Sequence, residues 1–403
     1  MKVLYIYIET FFGNVDMLEA LANYRGEKGE TIDVVKFKYE YTRGKKESGD
    51  PEVEAAFEKA IKDSDPTFVF SFNFLPIISK VCAKAGVKYV SWVYDSPEVY
   101  LYSFQAINPC NLILTFDYAQ FEEFHNAGID TVQYLPLAAG VKRLSTLEPD
   151  RKAAEKYGAD ISFVGSLYSE AGKSGLYSKV SEKISDYTKG FIDGLIRAQL
   201  NVYGFNFIKE SLTPEVVKDI LSTGEFIIRP DGVETYEYLI TDYMLNKQVT
   251  VAERRELLSL LGKHFNVRLY SYEENKAVVP EGVEFAGPLV YYRQMPLAFK
   301  CSKINLNITL RSIRSGIPLR CFDILGSGGF LMTNYQPDFE RHFVAGEDYV
   351  YWDSKEDLIA KADYYLKNDA EREEIARNGF NKVAAEHTFD VRVAQILEML
   401  GLS

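Results

Sequence analysis

Ser315-Gly-Ile-Pro-Leu-Arg-Cys-Phe-Asp-Ile-Leu-Gly-Ser-Gly-Gly-Phe-Leu-Met-Thr333 reads as a loop, a short helix, a glycine turn and a buried strand. Gly316 and Pro318 break whatever precedes them. Leu319, Phe322, Ile324 and Leu325 give the helix an apolar face. Gly328-Gly329 ends it, and Phe330-Leu-Met-Thr333 starts the strand. The same unit recurs on either side. Short apolar runs at 161–165, 267–270, 283–286, 304–307 and 349–352 mark further strands of the second half. The first third repeats the pattern, with strands expected at 3–8, 32–37, 68–72, 89–94, 112–116 and 132–135. Amphipathic helices are expected between them at 14–24, 51–62, 75–85 and 118–127. Strands alternating with helices build parallel sheets covered on both faces.

The fold class is therefore α/β, with a Rossmann-like domain over 1–145 and a second over 158–387. The charged stretch 144–157 reads as a linker, and 26–30 and 41–50 read as solvated loops. Residues 173–250 have helical periodicity and little strand signal, which marks a helical insertion in the second domain. Helices at 354–367 and 370–387 and a C-terminal helix within 388–403 close the chain.

A chain of 403 residues, 47% hydrophobic and 26% charged, has the profile of a soluble globular protein with room for two cores. Its net charge of -12 argues against general binding to nucleic-acid backbones. No apolar run is long enough for a transmembrane segment, and the first residues read as a strand rather than a signal peptide. Cys82, Cys110, Cys301 and Cys321 lack C-x-x-C spacing and suit reduced core positions, so a cytoplasmic location is expected. His125, His264, His342 and His387 form no metal-binding pattern, and no metal is expected. Asp63-Ser-Asp65 has the spacing of a metal-binding D-x-D, but it ends a helix just before Pro66 and reads as a turn.

Ligands of open α/β sheets bind beyond the carboxyl ends of the strands, so the residues that follow each strand are the candidates. A helix that starts after Ser315-Gly316-Ile317-Pro318 at Leu319 offers free N–H groups and a positive dipole end to a phosphate. Arg320 adds a guanidinium fork suited to phosphate oxygens, and the Asp323 carboxylate can accept hydrogen bonds from two sugar hydroxyls. This is the chemistry of a nucleotide-sugar site. The i, i+3 spacing of Arg320 and Asp323 suits a surface ion pair equally. Gly165 and Ser166, followed by Tyr168, make a strand-to-loop turn able to face a diphosphate. Gly287, with Tyr291 and Tyr292 close behind, could meet a base edge. Asn307 leads into a loop with Arg311 and Arg314, which with Arg320 form either a phosphate-binding cluster or a solvated face. Asp95, just past a buried strand, reads either as a general base or as the cap of an Asp-Ser-Pro turn. Gly13 and Asn14 sit where a helix starts after the first strand, either close to a ligand or in an ordinary turn. The pattern there is not G-x-G-x-x-G, so no dinucleotide site is supported.

At these residues the chain resembles glycosyltransferases of the GT-B fold, in particular the CgeB-like group named for a spore-maturation protein. The matching pieces are Ile161-Ser-Phe-Val-Gly-Ser166, Phe285-Ala-Gly-Pro288, Ile304-Asn-Leu-Asn307, Gly316-Ile-Pro-Leu-Arg-Cys-Phe-Asp323, Gly328-Gly-Phe-Leu331 and His387-Thr-Phe389. Trp92-Val-Tyr-Asp95 and Tyr134-Leu-Pro-Leu-Ala138 are similar to the N-terminal domain often joined to that group. The resemblance implies two Rossmann-like domains facing across a cleft. It also implies transfer of a hexosyl or N-acetylhexosaminyl group from a nucleoside-diphosphate sugar, UDP-linked and without a metal cofactor. The acceptor would be a glycan, surface polymer or protein, bound toward the N-terminal domain. It places Gly165 and Ser166 near the phosphates, Gly287 by the base, and Asp323 on the ribose. Related retaining enzymes carry two Glu residues separated by seven positions; this chain has Ser315 and Asp323 there, which leaves the stereochemical outcome open. A nucleotide-sugar 2-epimerase of the same fold and a non-catalytic nucleotide-sugar-binding module remain the alternatives.

Overall fold

The computed structural model describes residues 1–40, 49–169, 175–273 and 276–402. Most of the loop expected over 41–50, and the first two positions of the insertion expected over 173–250, lie outside them. Strands form at each apolar run. In the first sheet β1 (Lys2–Tyr7), β2 (Asp33–Lys38), β3 (Phe68–Phe72), β4 (Lys88–Trp92), β5 (Asn111–Thr115) and β6 (Val132–Tyr134) lie in the order β2-β1-β3-β4-β5-β6. In the second, β7 (Ala159–Val164), β8 (Val267–Tyr270), β9 (Val283–Phe285), β10 (Ser302–Asn307), β11 (Leu331–Asn334) and β12 (Val350–Trp352) are ordered β12-β11-β10-β7-β8-β9. Neighbouring strands in both sheets are parallel. Burial follows position: central β3 is buried at every residue, whereas edge β2 is not buried at any.

Chain order reverses between β1 and β3 in one sheet and between β7 and β10 in the other. Such switch points open a crevice at the carboxyl ends of the strands. The loops that leave β7 and β10 are thereby brought side by side, which sets the stage for the second sheet's site.

The chain divides into two compact units, one of Met1–Gly140, Ile228–Glu234 and Glu386–Ser403, the other of Val141–Ile227 and Thr235–Ala385. The stretch read as a linker is partly helical, at Val141–Ser145 and Arg151–Tyr157. Asp150 caps the latter by accepting the Ala153 N–H at 2.7 Å, and Arg151 pairs with Glu155 one turn on. The insertion is helical as expected and has its own apolar cluster, including Val180, Ile192, Ile208, Val216, Ile220 and Met244. One piece of it, Ile228–Glu234, belongs instead to the first unit. There the Val233 N–H donates to Tyr102 O at 2.8 Å, the Phe104 N–H to Asp231 O at 3.1 Å, and the Arg229 guanidinium to Val99 O at 2.9 Å.

The C-terminal helix Phe389–Met399 also belongs to the first unit. Arg392, 1% exposed, anchors it by donating to the carbonyls of Pro136 at 2.8 Å, Leu137 at 3.2 Å and Glu386 at 3.0 Å, with Nη2 2.5 Å from His387 Nδ1. Burial pulls its pKa down to about 10. The sequence pieces Tyr134–Ala138 and His387–Phe389 thus meet in space.

Candidate functional site

The β7 loop starts at Gly165, whose N–H donates to Tyr270 O at 3.0 Å. Ser166 is exposed, and its Oγ accepts the N–H of Tyr168 at 2.8 Å, with Tyr168 in the left-handed region at φ 54. Glu273 accepts the Leu167 N–H at 3.0 Å and the Ser169 hydroxyl. Beneath the loop lies Arg254, which the sequence reading did not single out. Its Nε donates to Ile308 O at 3.1 Å, its Nη1 donates to Ser166 O, and it stacks on the rings of Phe163 and Tyr168 at 5.2 and 4.9 Å. It therefore ties the β7 turn to the end of β10. Burial lowers its pKa. A signal was present: Arg254 lies on the helix face shared with buried Thr250, Leu257 and Leu258.

The helix Leu319–Gly326 has Pro318 as its N-cap, and no side chain caps that end among the described residues. Its leading N–H groups are set for an acceptor from outside the helix. The turn before it is held from behind. Gln336 donates from Nε2 to Gly316 O at 3.1 Å and Ile313 O at 3.4 Å, and the Asp338 N–H donates to Ser315 O at 3.0 Å. Ser315, Gly316 and Ile317 are buried, while Pro318, Leu319 and Arg320 are partly exposed.

Arg320 Nη1 donates to Asp323 Oδ2 at 3.2 Å, touches the Met295 sulfur, and packs over Phe299. The ion pair that the i, i+3 spacing allows is formed. Asp323 is 2% exposed, and its Oδ1 accepts the Tyr291 hydroxyl at 2.9 Å. Burial and then the Asp323 charge push the Tyr291 phenol well above its ordinary pKa, so it stays a donor. Arg143 covers Tyr292 and Tyr291 at 4.9 and 5.6 Å. Gly287, at φ 75 with open space around it, is required by its backbone conformation.

Several candidates are engaged by the fold instead. Arg311 forms a bidentate pair with Glu253 (Nε–Oε2 2.9 Å, Nη2–Oε1 2.7 Å), donates to Val202 O at 2.8 Å, and stacks on Tyr203 at 4.6 Å. Its charge is matched there rather than offered to a phosphate. Asn307 donates from Nδ2 to Thr309 and Thr333 hydroxyls at 3.0 and 2.9 Å. In the first unit Asn14 accepts the Tyr5 hydroxyl at 2.8 Å and donates to Ile8 O at 2.7 Å. A Cβ on Gly13 would fall 2.4 Å from the Phe72 ring, so the missing side chain here makes room for that ring.

Asp95 is exposed beyond the carboxyl end of β4. Asn73, at φ 53, donates to Asp95 Oδ2 at 2.7 Å and accepts the N–H groups of Tyr94 and Asp95 at 3.0 and 3.3 Å. Asn73 was also missed, though an Asn that ends a buried strand is a residue suited to positive φ. Among the described residues no three His, Cys, Asp or Glu side chains converge to hold a metal ion. Nor is any described helix long and apolar enough to cross a membrane.

Comparison with solved structures finds chains of the same overall architecture. HepE from Anabaena, solved with UDP, aligns over 100% of both chains at 10% identity with a TM-score of 0.55. Sucrose-phosphate synthase from Thermosynechococcus elongatus covers 99% of both chains at 11% identity and 0.52. The chain has the GT-B fold. A Listeria monocytogenes protein described as a UDP-N-acetylglucosamine 2-epimerase shares it, over 100% of this chain and 97% of its own, at 11% identity and 0.50. The model of a family described as glycosyl transferase-like matches residues 251–398 of this GT-B chain. That span holds β8 to β12, the Gly287 turn and the Arg320 helix. No curated protein sequence matches the chain.

Proposed function

We propose that this GT-B chain is a glycosyltransferase of the CgeB-like kind, whose second unit binds a UDP-linked sugar. The observation that carries the reading is the uncapped N-terminus of the helix Leu319–Gly326 beside Arg320, inside the span matched by the glycosyl transferase-like model. HepE was also solved with UDP-glucose, which supports uridine as the base and a hexose as the transferred group. In this reading the helix N-terminus, Arg320 and the Gly165–Ser166 turn hold the pyrophosphate and stabilise charge on the leaving diphosphate. Tyr291 and Asp323 keep Arg320 in place, so Asp323 acts first as a positioning residue rather than as a ribose ligand. The base packs by Gly287 and Tyr292. Asp95, oriented by Asn73, takes the proton of an acceptor hydroxyl from a glycan, surface polymer or protein. The chemistry needs no metal if these groups carry the charge, and the protein works in the cytoplasm.

Thermal-shift titration with nucleoside diphosphates and their sugars tests this. UDP and UDP-sugars raise the melting temperature if the reading holds; a panel without any shift overturns it. Incubation of UDP-N-acetylglucosamine with the protein and no acceptor separates the epimerase, which converts its substrate alone.

A further inference from the structure

The ladder between β8 and the edge strand β9 stops at Gly287. The Ala286 N–H donates to Leu269 O at 2.9 Å, as a regular parallel pair requires. Regular pairing would next send the Ser271 N–H to Ala286 O. It goes instead to Gly287 O at 3.1 Å, because Gly287 at φ 75 turns its carbonyl toward β8. Pro288 then has no N–H with which to continue the ladder. Among the described residues, the Ala286 carbonyl and the N–H groups of Gly287 and Leu289 are left without a hydrogen-bond partner. One acceptor and two donors on the main chain can read the edge of a heterocycle. A Cβ at Gly287 would meet nothing within 4 Å, so the space beside the turn is open.

Tyr272 stands next to this turn. On one side the main chain of Ser271 is bonded to Gly287, and the Tyr272 hydroxyl reaches Leu289 O in a long contact of 3.4 Å. On the other side Glu273 accepts the Leu167 N–H of the β7 loop at 3.0 Å. The residue is thus held between the two loops to which the donor reading gives the base and the diphosphate. Its side chain is nevertheless 78% exposed. A ring that covers so little of the protein adds little to the apolar core. Its face is left for something outside the fold.

We propose that Tyr272 is the platform on which the nucleobase of the donor stacks, with the main chain at 286–289 reading the edge of that base. The inference rests on the donor reading above and adds to it the residue that takes the face of the base. Stacking tolerates any base, so the ring sets affinity and the turn sets which base is accepted.

Calorimetric titration of the full chain with UDP and UDP-glucose tests it, in wild type and in Tyr272→Ala, Tyr272→Leu and Tyr272→Phe. Tyr272→Ala and Tyr272→Leu are expected to bind both ligands about tenfold more weakly, and Tyr272→Phe within about threefold of wild type. Melting temperatures should stay close to wild type, because the side chain is exposed. Tyr272→Trp adds a spectroscopic signature. Trp92 and Trp352 are buried, so the emission gained by this variant comes from position 272, and UDP is expected to quench it. Emission unchanged on a variant that still binds UDP, or wild-type affinity in Tyr272→Ala, overturns the platform while the donor reading stands. A loss confined to UDP-glucose also overturns it, by placing the ring on the sugar. Tyr272→Phe as weak as Tyr272→Ala does the same, by giving the contact to the hydroxyl. A wild-type protein that binds neither ligand overturns the donor reading and the platform with it.

Discussion

Arg311→Ala separates a structural guanidinium from a ligand-binding one. Arg311 is 9% exposed and Glu253 2%, and the two share a bidentate contact at 2.9 and 2.7 Å. Truncation leaves the Glu253 carboxylate buried with its partner gone and strips the Val202 carbonyl of its 2.8 Å donor. Breaking a buried pair from one side costs about 3–5 kcal/mol. For a unit of this size each kcal/mol moves the midpoint by about 2–4 °C, so a fall of roughly 8–16 °C is expected for a loss near ~4 kcal/mol. Urea unfolding followed by circular dichroism measures it. Arg311→Met combined with Glu253→Leu should recover more than half of the loss, because both charges then leave the interior. A loss below about 1 kcal/mol, the range of an exposed pair, would refute this reasoning. UDP affinity of folded Arg311→Ala that drops by about tenfold would show instead that the guanidinium serves a ligand.

Arg320→Ala should weaken UDP binding by about 1–3 kcal/mol, or roughly 5- to 150-fold, as calorimetry would report; unaltered affinity removes it from the site. Asp95→Asn should keep UDP-sugar affinity while transfer slows by about 10²–10⁴-fold, and undiminished turnover rules it out as the base. Arg392→Ala should release the helix Phe389–Met399, seen as faster limited proteolysis there. Cleavage at the wild-type rate would mean the apolar contacts hold that helix without the buried guanidinium.

The strands were legible because each is a short β-branched or aromatic run, such as Phe68–Phe72, bounded by turn residues. The helix Arg151–Tyr157 was missed because its evidence is a cap and one ion pair, not apolar periodicity. Ile228–Glu234 reads locally as an Arg-Pro-Asp-Gly turn; its bridge to Ser103 is invisible without the fold. At the site, chain order alone gave which loops follow which strands. It did not tell which charges face a ligand. The partner of Arg311 lies 58 residues away on the helix Asn246–Gly262, and Asn14 is held by Tyr5 on the preceding strand. The i, i+3 spacing of Arg320 and Asp323 allowed two readings, and the pair they form is compatible with both.

Amide hydrogen exchange with and without saturating UDP tests the placement of the donor most directly. The account predicts slower exchange in peptides that span Gly165–Tyr168, Gly287 and Ser315–Phe322. Tight UDP binding that leaves the Ser315–Phe322 peptide unprotected would contradict it.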